Sequence, residues 1–132
     1  MIEELVRRLY EALATGDADA VGKLLAPDFQ GSFAPGMPFG LGGRKDGMAS
    51  TRDDGWWAIG RGFSVRVKPE EWIPCADGRL LVIGRYVGRA RASGRGFEAE
   101  VAHLWSAAGD RLTSVHQFTD TVMWRDALEE RA

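Results

Sequence analysis

Gly84–Trp105 reads GRYVGRARASGRGFEAEVAHLW, and Asp110–Thr121 follows as DRLTSVHQFTDT. Large and small apolar residues alternate here with charged ones, the period of strands that bury one face. Ser93-Gly94 and Gly109-Asp110 carry turn chemistry between the runs, so the pattern predicts strands Leu80–Ala92, Phe97–Ser106 and Leu112–Asp120 joined as antiparallel hairpins. A turn at Gly109-Asp110 sets His103 opposite His116, Trp105 opposite Ser114 and Ala99 opposite Asp120. Phe97, Ala99, Val101, His103 and Trp105 then share a face with Ser114, His116, Phe118 and Asp120, and with Val82, Gly84, Tyr86 and Gly88 of the preceding strand. That face is apolar and aromatic, with two imidazoles, a phenol and a carboxylate set into it. The other face carries Arg85, Arg89, Arg91, Glu98, Glu100, Thr113, Gln117 and Thr119, with Arg89 and Arg91 expected opposite Glu100 and Glu98 as cross-strand ion pairs.

Upstream, Phe63, Val65 and Val67 alternate with polar neighbours as a further strand, and Asp77-Gly78 turns it into the next. Before it the period is helical. Ile2, Leu5, Val6, Leu9 and Leu13 form the stripe of an amphipathic helix stopped at Gly16; Asp17 or Asp19 caps a second, shorter helix that Pro27 ends. Phe29–Phe33 is expected as a short strand, and Lys45–Ile59 as a third helix weakened by Gly47 and Gly55. Ala34–Gly43, APGMPFGLGG, is too rich in Gly and Pro for regular structure and reads as either a connector or a lid. A helix over Thr121–Glu130 closes the chain. Helices followed by an antiparallel meander make one α+β domain spanning 1–132.

The composition narrows the function classes. A net charge of -2 without a Lys/Arg run gives no footprint for nucleic acid or an anionic membrane surface. No apolar stretch approaches the roughly 20 residues of a membrane span, and the N-terminus lacks the pattern of a signal peptide. The single cysteine, Cys75, excludes an internal disulfide and fits a cytoplasmic protein. Five Trp and six Phe are numerous for 132 residues, enough to line a pocket as well as fill a core.

The "AHLW" segment (Ala102–Trp105), the "QFTDT" segment (Gln117–Thr121) and the "APDF" turn (Ala26–Phe29) resemble the ketosteroid-isomerase-related branch of the SnoaL-like proteins, within the nuclear transport factor two-like superfamily. The resemblance extends over nearly the whole chain. It implies a cone-shaped, curved antiparallel sheet wrapped around the N-terminal helices (a cystatin-like α+β barrel), a deep apolar pocket and a homodimer through the outer sheet face. Characterised members of that superfamily include steroid isomerases, aldol-type polyketide cyclases and an epoxide hydrolase, which share an inward carboxylate. By that resemblance Asp120 matches an aspartate near the end of the last strand, and His103 the inward histidine of the cyclases. Gly84 and Tyr86 stand where the epoxide hydrolase has an arginine and an aspartate, and Gln30–Phe33 offers no carboxylate where the steroid isomerase keeps its base.

These readings converge on acid/base proton transfer on a carbonyl compound: isomerisation, dehydration or intramolecular aldol cyclisation. Asp120 takes the proton, His103 or His116 relays it, and Tyr86 stabilises the enolate oxygen. Each has a plainer role, Asp120 as a helix cap and the histidines and Tyr86 as hydrogen-bonded core groups. The same pocket without titrating groups would serve a binding protein for an apolar metabolite, and an Asp120-activated water would give epoxide hydrolysis. His103, His116 and Asp120 also form a two-histidine, one-carboxylate set, but no spacing signals a metal, and neither metal nor cofactor is expected. Trp56, Trp105, Phe118, Phe97, Val101, Phe33, Met37 and Phe39 are the expected walls, suited to a small apolar or polycyclic molecule.

Overall fold

The computed structural model describes residues 1–129. Helix α1 (Ile2–Thr15) buries Leu5, Val6, Leu9 and Ala12 and stops at Gly16, whose φ of 69° is the left-handed value that glycine adopts without a Cβ penalty. Of the two candidate caps for α2 (Ala18–Leu24), Asp17 is the one used: its carboxylate accepts the Ala20 N–H at 3.1 Å. Strand β1 (Leu25–Phe33) begins earlier than its sequence pattern predicts. Lys45 and Asp46 belong not to a helix but to β2 (Gly43–Asp46), paired with Gly31 and Gln30. The helical run starts at Met48, as α3 (Met48–Ser50), a π-helical stretch Thr51–Trp56 and α4 (Trp57–Gly62). Gly55 sits within the π-helical stretch because a Cβ there would lie 2.7 Å from the Phe33 ring.

The sheet then runs through β3 (Phe63–Pro74), β4 (Leu80–Ala90), β5 (Gly96–Ala108) and β6 (Arg111–Thr119), and α5 (Thr121–Leu128) closes the fold. The expected end of that last helix at Glu130 lies outside the described residues. Six strands form one curved, open sheet in the order β2-β1-β6-β5-β4-β3. All neighbours are antiparallel except β1 and β6, which run parallel. At Gly84 and Gly88 a Cβ would fall 2.3 Å from the Lys68 carbonyl oxygen and 2.0 Å from that of Ser64, so β3 crosses β4 more closely than any side chain permits. The core lies between the concave face and α1, α2 and the α3–α4 run, with Trp105 and Trp124 fully buried.

The β4–β5 faces fall as the sequence predicts: Val82, Gly84, Tyr86 and Gly88 stand opposite His103, Val101, Ala99 and Phe97. The connection is wider than a Ser93-Gly94 hairpin, however. Glu100 therefore faces Arg85, Arg89 faces Gly96, and on the outer face Arg85 pairs with Glu98 at 2.7 Å and Glu70 at 3.3 Å.

The β5–β6 register departs from expectation. Near the turn Ala107 pairs with Leu112, as a Gly109-Asp110 hairpin requires, but the next pair is Ser106 with Ser114. Thr113 is an extra residue in β6, a β-bulge, and from there every β6 side chain changes face. Leu112, Val115 and Gln117 are buried, while His116 and Phe118 are exposed. No helix among the described residues is long and apolar enough to cross a membrane.

Candidate functional site

A cavity of about 110 Å³ lies between the last turns of α1, the Trp56–Gly60 segment and the inner face of β3, β4 and β5. Leu13, Trp56, Ile59, Val65, Val67 and Trp105 supply its apolar walls; Tyr10, Tyr86 and His103 supply its polar groups. Exposed Ala14, Gly60 and Arg66 mark its mouth beside the edge strand β3.

The polar groups form one continuous chain. The Tyr10 hydroxyl lies 2.8 Å from His103 Nδ1, and the Tyr86 hydroxyl 3.1 Å from His103 Nε2. The Trp105 indole N–H donates to the Tyr10 oxygen at 3.3 Å, and the Gln117 amide donates to the Tyr86 oxygen at 2.8 Å. The Gln117 carbonyl oxygen in turn accepts the backbone N–H of Ala34 at 3.2 Å. Burial pushes His103 down to about 3, so its imidazole is neutral across the physiological range. Burial also pushes both phenols well above their usual range, Tyr10 despite the opposing hydrogen bond from Trp105. The hydrogen-bonded chain is thus polar and uncharged, and Arg66 at the mouth is the one charged residue among the described residues that line the cavity.

The two phenol O–H groups share a single acceptor, the unprotonated nitrogen of His103. The neutral imidazole holds one proton between its two nitrogens, so it donates to one phenol and accepts from the other. Gln117 and Trp105 only donate to the phenol oxygens. Whichever tautomer is present, one phenol O–H is left without an acceptor in the protein, and both phenols border the cavity. A buried donor left unpaired costs about 1–3 kcal/mol, which a ligand's acceptor oxygen in that cavity recovers.

Of the residues expected to carry chemistry, Tyr86 and His103 meet in this site. His116 does not: the bulge at Thr113 turns it outward, where its ring stacks on Phe118 at 4.1 Å. Asp120 is exposed, accepts no cap hydrogen bond at the start of α5, and borders an outer-face groove with Glu70, Arg85, Glu100 and Phe118. Neither the inward carboxylate nor the helix-cap reading describes it, and His103, His116 and Asp120 do not converge as metal ligands. Among the expected walls, Trp56 and Trp105 line the cavity, whereas Phe118 is half exposed on the outer face. Val101, Phe33 and Met37 are buried in the core away from the cavity, and Phe97 packs on Phe63 and Trp124. Phe39 is 67% exposed, with its ring over Phe63. Nothing from Ala34–Gly43 borders the cavity. That loop is neither a loose connector nor a lid: Met37 and Leu41 are buried, and the Arg125 guanidinium donates to the carbonyls of Gly36 and Met37 at 2.7 and 3.3 Å.

Tyr10 carries no signal in the sequence pattern, and Gln117, expected on the outer face, is instead buried against Tyr86. Tyr10 lies at the edge of the α1 stripe, one turn from both Val6 and Leu13, where a phenol reaches the core border. Gln117 is two residues from Val115 and becomes visible as inward only once the Thr113 bulge is known.

A family model described as a SnoaL-like domain matches residues 6–115. This chain belongs to the SnoaL-like family. Among solved structures, this SnoaL-like protein is similar to a nuclear transport factor two-like protein of unknown function from Burkholderia pseudomallei, with 27% identity, a TM-score of 0.84, and 96% and 95% of the two chains covered. It also shares its fold with TerC, co-crystallised with polyporic acid, at 24% identity and a TM-score of 0.82 over 94% and 95% of the chains. A hypothetical protein with a ketosteroid isomerase-like fold from Catenulispora acidiphila, in complex with trimethylamine, aligns with a TM-score of 0.79 at 16% identity over 97% and 94% of the chains. No curated protein matches the chain.

Proposed function

We propose that this SnoaL-like protein binds a small, largely apolar organic molecule carrying a carbonyl oxygen and promotes proton transfer on it by hydrogen bonding that oxygen. The observation that carries the reading is the surplus phenol proton beside a neutral imidazole in an apolar cavity. A donor held there stabilises the charge that builds on a carbonyl oxygen during enolisation, while the α-proton passes to solvent water at the mouth. The hydrogen-bonding groups inside the cavity are uncharged and Arg66 stands exposed at the mouth, so a neutral carbonyl fits against Tyr10, Tyr86 and His103 better than a carboxylate, whose charge would be buried there without an adjacent counter-ion. At about 110 Å³ the cavity is smaller than the ~150 Å³ that encloses benzene, so it takes at most one six-membered ring, with part of it toward the open mouth. A polycyclic ligand would leave its remaining rings at the mouth. The ligands in the TerC and Catenulispora structures are small organic molecules, in keeping with this use of the fold.

One observation favours a second reading, a binding protein without turnover: no carboxylate is among the cavity-lining residues. Titration with cyclohexenone and with cyclohexene, rings of similar size with and without the carbonyl, tests the shared part. The ketone is expected to bind at least tenfold more tightly, and Tyr10→Phe to reduce that ratio to about one, since tenfold corresponds to the roughly 1.4 kcal/mol of one hydrogen bond. Equal binding of the two rings by the wild type would overturn it. Exchange of the ketone's α-protons in D2O separates the two readings: acceleration by the wild type marks an enzyme, and tight binding without acceleration marks a binder. For assembly we propose a homodimer through the outer sheet face, where Leu81, Ile83, Ala102, Leu104 and Phe118 leave an apolar strip. A cytoplasmic location remains part of the proposal, resting on the single free Cys75.

A further inference from the structure

We infer that Gln117, which does not border the cavity, sets the hydrogen-bond polarity of the site: it holds His103 as the Nδ1–H tautomer and leaves Tyr10 as the phenol with the free proton.

The direction starts at the backbone. The N–H of Ala34 has only a donor to offer, so the Gln117 oxygen must face it and the amide NH2 must face Tyr86. The Tyr86 oxygen therefore accepts from Gln117. Tyr86 and Gln117 are 5% and 1% exposed, and beyond the amide the Tyr86 hydroxyl meets only His103 Nε2. Tyr10 is only partly buried and nearer the mouth. A surplus donor costs less at the more accessible of two phenols, so Tyr86 O–H donates to Nε2. His103 Nδ1–H then donates to the Tyr10 oxygen, which also accepts the Trp105 N–H, and the Tyr10 proton is directed into the cavity.

The same count predicts the effect of changing one atom of Gln117. In Gln117→Glu, an ionised carboxylate accepts from both Ala34 and Tyr86. The Tyr86 oxygen is then free to accept Nε2–H, Tyr10 donates to Nδ1, and every donor has an acceptor. The tautomer reverses and the cavity loses its free proton, although no cavity-lining atom has changed. Gln117 is thus a positioning residue that decides whether the site recognises an acceptor oxygen.

The ligand part of this inference rests on the function proposed above; the tautomer part holds in the empty protein. Long-range 1H–15N correlation spectra of the imidazole rings, with His116 assigned through His116→Gln, identify which His103 nitrogen carries the proton at pH 7. The expected result is Nδ1–H in the wild type, and in folded Gln117→Glu a change to Nε2–H as pH rises from 6 to 9, with at least a tenfold loss of cyclohexenone affinity. Nε2–H in the wild type overturns the inference, and that arm stands even if the variant does not fold. A folded variant that keeps Nδ1–H to pH 9 overturns it as well. If the tautomers behave as expected but cyclohexenone binds neither protein, the role of Gln117 stands and the carbonyl-binding function fails.

Discussion

His103 illustrates what burial does to one side chain. In the unfolded chain its value is near 6.5, and in the folded protein burial lowers it to about 3. The folded value is the lower one, so below pH 6.5 the unfolded chain takes up a proton that the folded protein refuses. Stability from this group is complete above pH 6.5 and falls by up to about 1.4 kcal/mol per pH unit toward pH 3. Urea midpoints measured from pH 6.5 to 4.5, above most carboxylate titration, should show that slope, and His103→Gln should flatten it. Asp120 gives the opposite expectation. It is exposed and caps nothing, so Asp120→Asn should change stability by less than about 0.5 kcal/mol and leave cyclohexenone affinity unaltered by calorimetry.

Two strand details shape the site at the level of elements. Gly84 and Gly88 let β3 lie close over β4, which brings Val65 and Val67 to the cavity wall beside Tyr86. Gly88→Ala would put a methyl group 2.0 Å from the Ser64 carbonyl oxygen, and backbone must move to make room. A loss of about 1–3 kcal/mol is expected in chemical denaturation, and weaker ring binding with it. Helix α1 is held on the sheet by Arg7, whose guanidinium lies 3.9 Å over the Trp72 ring, and by Tyr10, whose ring meets Trp72 and Trp105. Tyr10 is therefore delivered to His103 by a helix anchored one turn earlier at Arg7 and by the contacts of its own ring.

At the scale of the whole molecule, the open sheet has two different faces. The concave face carries the core and the cavity; the outer face carries the apolar strip ending at Phe118, which is 50% exposed, beside the Arg85–Glu98 pair. An apolar strip rimmed by charges is the pattern of a protein–protein surface. Phe118→Asp should shift the sedimentation coefficient from dimer to monomer with little change in fold by circular dichroism. A wild type that sediments as a monomer at high micromolar concentration would remove the basis for the dimer.

Periodicity, a local property, was enough to identify the α+β class, the helices-then-meander order and the inward placement of Tyr86, His103 and Trp105. The family resemblance rested on residue motifs instead, at Ala26–Phe29, Ala102–Trp105 and Gln117–Thr121. The faces of His116, Gln117 and Phe118 were not legible, because alternation propagates from the nearest turn and a single extra residue at Thr113 inverts everything beyond it. Asp120 followed His116 outward for the same reason. Tyr10 was hidden differently: its partner is 93 positions away, and no local pattern encodes which side chain a helix lays against a sheet. The amino-acid sequence by itself determined the first two helices, the last one, the four strands of the meander and their apolar stripes; tertiary packing decided the strand at Gly43–Asp46 and which polar groups were sealed together. The physical reason is that strand and helix periods are set by neighbouring residues, whereas the direction of a buried hydrogen-bond chain depends on donors and acceptors brought from Tyr10, Ala34, Tyr86, His103 and Gln117 to one place.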